Sequence, residues 1–116
     1  MQERYQEEHL ALVRDLARLH FDQGNMQRAI VLYKELLATE PTLEDIVRRL
    51  YCCYERLGDR NALMREHRHL QEALQRVFGA DGEDDDGLGQ PERETTALYE
   101  QVLAQLDAGA VASRSA

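Results

Sequence analysis

The chain has 116 residues, enough for one domain with its own core and no need of a metal or disulfide staple. Its net charge of −8 opposes a phosphate backbone, which is held by Lys and Arg, so the chain is a poor holder of DNA by itself. Hydrophobic residues make up 43%, which argues against wholesale disorder, and the only two cysteines, the neighbours Cys52 and Cys53, offer no disulfide framework.

Leu, Ala, Glu, Arg and Gln dominate, all good helix formers, and strand-type alternation is hard to find, so the expected class is all-α. A first helix is predicted from Gln2 to Gln23, with Leu12, Val13, Leu16, Leu19 and His20 at helical spacing, stopped by Gly24. Asn25 is placed to cap a second helix whose stripe is Ala29, Ile30, Tyr33, Leu36 and Leu37, ending at Pro41. Thr42 then caps a third helix, with Asp45 as capping partner and Leu43, Ile46, Val47, Leu50 and Tyr54 as its stripe. Gly58 stops it, and Asp59 caps a fourth helix reaching Phe78. An acidic linker, residues 80–90, leads to a fifth helix starting just after Pro91, with Leu98, Tyr99, Val102 and Leu106 as its stripe. The expected domain is residues 1–108, followed by a flexible tail at residues 109–116.

No apolar run approaches a membrane span, and the first residues lack the apolar stretch of a signal peptide. Adjacent free thiols fit a reducing compartment. The expectation is a cytoplasmic chain with no membrane contact by this segment.

Laying the first half over the second exposes a repeat. Val13 and Val47, Leu16 and Leu50, Gly24 and Gly58, and Leu36 and Leu70 are each 34 positions apart, as are the caps Asn25 and Asp59. A period of 34 with two helices per unit is the mark of tetratricopeptide repeats. The first unit reads Val13, Leu16, Ala17, His20, Ala29, Tyr33 and Pro41; the second reads Val47, Leu50, Tyr51, Tyr54, Leu63 and His67. Thr95, Leu98, Tyr99 and Val102 form a partial third unit. The expected fold is tetratricopeptide-like helical hairpins, two repeats plus a C-terminal helix that covers the last repeat's open face.

A narrower resemblance rests on five segments: residues 24–33 (GNMQRAIVLY), 36–41 (LLATEP), 57–63 (LGDRNAL), 67–70 (HRHL) and 91–100 (PERETTALYE). Together, from Arg4 to Leu106, they resemble the bacterial transcriptional activator domain of Streptomyces antibiotic regulatory protein-type regulators. The closing run from Pro91 to Glu100 carries most of the likeness. The resemblance implies a regulatory domain that dimerises or contacts another regulator or the transcription machinery, with no catalytic residues. DNA would be reached only through a separate winged-helix domain, which these residues do not supply. The linker at residues 80–90 is longer and more acidic than the family's short turn.

Two sites can be nominated. Arg14, Arg18, Arg48 and Arg56 lie on the first helix of each hairpin, the helix that lines a concave face. The planar guanidinium fork suits carboxylate, so the four suggest a basic groove for an acidic peptide, as in a stand-alone adaptor. The plain alternative is solvated arginine paired with glutamates one turn away. Asp81, Glu83, Asp85 and Glu92 fall at the spacing of a calcium loop, but Asp86 stands where that loop needs glycine, so a self-repelling linker is the plainer reading.

His67 and His69 point to different sides of one helix, and His9 and His20 are too far apart, so neither pair ligates a metal. His20 and His67, with Tyr33, Tyr51, Tyr54 and Tyr99, sit at repeat positions that pack; Tyr5 lies outside that frame. No base or orienter accompanies the cysteines, and no glycine loop carries phosphate-binding Lys and Ser or Thr, so neither an enzyme nor a cofactor is implied.

Overall fold

The computed structural model describes the backbone of residues 2–79 and 89–115, and the side chains of residues 6–79 and 89–109. Among the described residues every regular element is an α-helix: α1 (Gln2–Asp22), α2 (Met26–Thr39), α3 (Glu44–Leu57), α4 (Arg60–Phe78) and α5 (Arg93–Ser115). Helix α1 packs on α2, α2 on α3, α3 on α4, and α5 lies across both α3 and α4. This is the expected stack of two hairpins closed at one end by a fifth helix. Helix α5 continues through Gly109 to Ser115, across the segment expected as tail.

The repeat is visible in how the helices end. Gly24 and Gly58 both take left-handed backbone, at φ 81° and 68°. The amide of Gly24 donates to the Phe21 carbonyl and that of Asn25 to His20; the amide of Gly58 donates to Glu55 and that of Asp59 to Tyr54. Each pair ties off two orphan carbonyls in the same Schellman arrangement, and glycine adopts the required positive φ without a Cβ clash. A substitution at either position meets no neighbouring atom, so its cost is backbone strain alone.

The caps depart from expectation. Asp59 accepts from the Ala62 amide, as its position predicts. Asn25 holds the cap position of α2 but makes no side-chain capping bond. Thr42 does not cap α3: Leu43 occupies that position, without a side-chain bond, and Asp45 turns to Arg14 instead. The first turn of α3 still carries Glu44 and Asp45, which suit the positive end of the helix dipole.

The core runs through both hairpins. It contains Val13, Ala17 and Phe21 of α1, Ala29, Tyr33 and Leu36 of α2, Ile46, Val47, Leu50, Tyr51, Cys53 and Tyr54 of α3, Leu63, Leu70 and Leu74 of α4, and Val102 of α5. Small Ala17 and Ala29 are fully buried where α1 and α2 cross, which lets the two backbones approach. The expected stripes of α2, α3 and α5 are buried or half-buried as read. That of α1 divides: Val13 packs inward, while Leu12, Leu16 and Leu19 face outward.

Candidate functional site

The four nominated arginines do not share one groove. Arg14 reaches from α1 to Asp45 at the start of α3. Arg48, 34 residues on, makes the matching contact one unit later: it donates to the Thr95 hydroxyl at 2.8 Å and lies 3.5 Å from Glu92 and 3.8 Å from Glu94. Both arginines therefore clasp the first helix of one unit to the first helix of the next. Thr95, fully buried in the first turns of α5, has Arg48 as its hydroxyl's donor, and an unmet polar group there would be costly.

Helix α3 instead turns Arg49 inward. Arg14, Asp15, Arg18, Tyr33, Asp45, Ile46 and Arg49 line a cavity of about 290 Å³ between α1 and α3.

 Beside this cavity Arg49 and Arg56 both stand over one aromatic ring, their guanidinium carbons 5.7 and 4.4 Å from the centre of Phe21. Stacking on the ring's negative face holds both guanidinium groups in place and leaves their N–H edges free to donate. Arg18 lies 4.0 Å from Asp22, an exposed pair that binds it loosely. Among the described residues neither Arg49 nor Arg56 has an acidic side chain within ion-pair distance.

Burial raises the Tyr33 hydroxyl above its usual range, and the nearby Arg49 charge opposes that rise. The same cause raises the thiol of Cys52 and carries that of Cys53 up to about 12. Both cysteines are therefore held as thiols at neutral pH, which suits packing and not nucleophilic attack.

A second cluster joins α5 to the hairpins. The Tyr51 hydroxyl and His67 Nδ1 are 2.7 Å apart, and the Tyr99 ring stacks on the His67 ring at 3.8 Å and 4°. Burial lowers the His67 pKa, with Glu100 pulling the other way. Burial also raises the Tyr51 hydroxyl, with Tyr99 adding to the shift. Neutral His67 thus packs as an aromatic residue, as its repeat position predicts. His20, whose counterpart 34 positions on is Tyr54, also sits at a packing position, and its Nδ1 is buried without a hydrogen-bond partner among the described residues.

Of the calcium-loop candidates, Asp81, Glu83 and Asp85 lie outside the described residues. Glu92 is engaged elsewhere: its amide donates to Glu44 at 2.9 Å, and its carboxylate faces Arg48.

The sequence marks an apolar stripe on α1, and the structure shows that part of it is open. Leu12, Leu16 and Leu19 are 66%, 41% and 51% exposed, whereas their counterparts 34 positions on, Ile46, Leu50 and Cys53, are 1%, 0% and 0% exposed. In the second unit that row meets α2: Ile46 shares a cavity wall with Tyr33, and Cys53 is close enough to act on the Tyr33 hydroxyl. The row on α1 is therefore the surface on which a preceding helix would sit.

A protein-family model, described as the bacterial transcriptional activator domain, matches residues 1–103. The chain belongs to that family. The match takes in both hairpins and the first half of α5, so the clasp at Arg48 and the stack at His67 lie within the family domain. No curated protein and no solved structure matches the chain.

Proposed function

We propose that this bacterial transcriptional activator domain is a non-enzymatic regulatory module of a transcriptional regulator, acting through dimerisation or partner contact. The observation that supports it most is the row of Leu12, Leu16 and Leu19, apolar and open where the equivalent row of α3 is fully covered. Covering a leucine of this kind contributes about 1.5–3 kcal/mol when burial is complete.

The sister subunit is the occupant we favour. The spacing of four and then three residues along Leu12, Leu16 and Leu19 is that of a coiled-coil seam. Such a row is self-complementary, and a two-fold pairing closes after two copies, where head-to-tail stacking of repeats would run on. DNA is reached through another domain, because a charge of −8 opposes the phosphate backbone. No helix among the described residues is long and apolar enough to cross a membrane. The proposed setting is the cytoplasm, where the regulated DNA lies.

The test fuses the chain to a DNA-binding domain that holds its operator only as a dimer, upstream of a reporter in bacteria. Repression by the wild-type fusion, lost in a Leu12→Gln, Leu16→Gln, Leu19→Gln variant of equal abundance, is expected. Equal repression by both would remove the leucine row from the account. A second reading, an adaptor that takes an acidic peptide, is favoured by the inner groove.

A further inference from the structure

We infer that the inner groove between α1 and α3 binds an acidic peptide segment, with Arg49 and Arg56 as its principal carboxylate receptors and Arg18 at its edge. The inference deepens the reading of the chain as an interaction module and rests on it. It concerns a different surface from the leucine row of α1.

The chain as a whole carries −8, yet three guanidinium groups and two carboxylates line the cavity, and Arg56 extends the line past Phe21. One of the three, Arg14, is spent on Asp45 as an inter-repeat clasp. Arg49 and Arg56 are held over Phe21 with no acidic side chain in ion-pair range among the described residues. The two arginines are also preorganised. Both arginines sit on one helix and share one ring, so binding a carboxylate costs them little side-chain freedom. A fork already stacked on an aromatic face can still accept a carboxylate edge-on.

The spread of the charges selects the ligand. Tyr33 and Ile46, each 1% exposed, close the bottom of the cavity, and the Phe21 ring carries Arg49 and Arg56 beyond it. A small anion would use one fork and leave the other unmet. An extended segment places successive carboxylates against Arg49 and Arg56 together. A long nucleic acid would instead meet the repulsion of the whole acidic chain. The carboxylates can come from Asp and Glu side chains or from a chain terminus, and both offer the same planar acceptor.

The test uses the full chain and fluorescein-labelled peptides of about eight residues, matching one extended stretch across the two helices. One peptide alternates Asp with Leu and has blocked ends. A second replaces each Asp by Asn, and a third carries Asn in place of Asp with a free C-terminal carboxylate. Anisotropy is expected to show saturable binding of the first peptide and none of the second. Binding of the third alone would assign the groove to chain termini. Arg49→Gln and Arg56→Gln are each expected to weaken binding about tenfold, the loss of one charge-assisted contact. Arg68→Gln on the far side of α4 is expected to leave it unchanged. The leucine-row variant is expected to bind as wild type, so failure of the dimer reading leaves this result standing. Absence of binding to either carboxylate peptide, or equal weakening by Arg68→Gln, would overturn the inference. Circular dichroism of each variant separates lost binding from lost fold.

Discussion

The two hairpins are built on one pattern and end in different circumstances. In the second, α3 has α2 on one side and α4 and α5 on the others, and its row of Ile46, Leu50 and Cys53 is sealed. In the first, α1 packs chiefly on α2, and the same row, as Leu12, Leu16 and Leu19, meets solvent. The C-terminal end has its own cover in α5, held by the Arg48 clasp, by Tyr99 on His67 and by Arg60 on Asp107. A repeat unit carries its packing code whether or not a neighbour is present to satisfy it. The same code is therefore satisfied at α3 and left open at α1.

The largest way to disturb that contrast is to uncover the closed end. Deleting residues 92–116 removes Val102 and Thr95 from the core and strips Tyr99 from His67. Aggregation on size-exclusion chromatography and loss of a cooperative thermal transition are expected. A truncated chain that stays monomeric and fully helical would show that α5 is not a cover.

A matched pair of substitutions sharpens the contrast within the hairpins. Leu50→Ala empties a fully buried site and is expected to cost about 2–5 kcal/mol in urea unfolding. Leu16→Ala, at the equivalent exposed position, is expected to cost under about 1 kcal/mol in the isolated protomer. Equal costs at low protein concentration would mean that α1 is covered within the chain itself.

A smaller effect follows from His67. Its folded-state pKa lies below the unfolded value of 6.5 because burial disfavours the charged ring. The unfolded chain therefore binds the proton more readily, so this contribution is complete above that value and is lost as pH falls toward the folded pKa. The thermal midpoint is expected to drop between about pH 7.5 and about pH 5.5, on either side of the ordinary histidine range. His67→Phe, which keeps an aromatic ring against Tyr99, is expected to flatten part of that drop. An unchanged pH profile would contradict the neutral-imidazole packing.

Much of this architecture is legible in the sequence because backbone demands are local. Gly24 and Gly58 mark left-handed stops, Asp59 marks a cap, and their spacing marks the repeat. The side-chain roles are less legible. Arg48 and Arg49 differ by one position, which on a helix is about 100° of rotation and here separates the α5 clasp from the inner groove. Only the placement of α5 decides between them. Thr42 reads as a cap by residue type, yet the helix begins two residues later, after Leu43, and the turn chemistry alone does not fix that register. Leu12, Leu16 and Leu19 declare an apolar face, and periodicity carries no word on whether anything covers it. The link from Tyr51 to His67 had a signal in the repeat register, since both occupy aromatic packing positions.

The leucine row is best tested by sedimentation equilibrium of the wild-type chain and of the Leu12→Gln, Leu16→Gln, Leu19→Gln variant across a broad concentration range. The wild-type mass is expected to rise to twice that of the protomer, and the variant to stay at one protomer with the same helical spectrum. A wild-type chain that remains a single protomer at the highest concentration, or a variant that associates as strongly, would contradict dimerisation through α1.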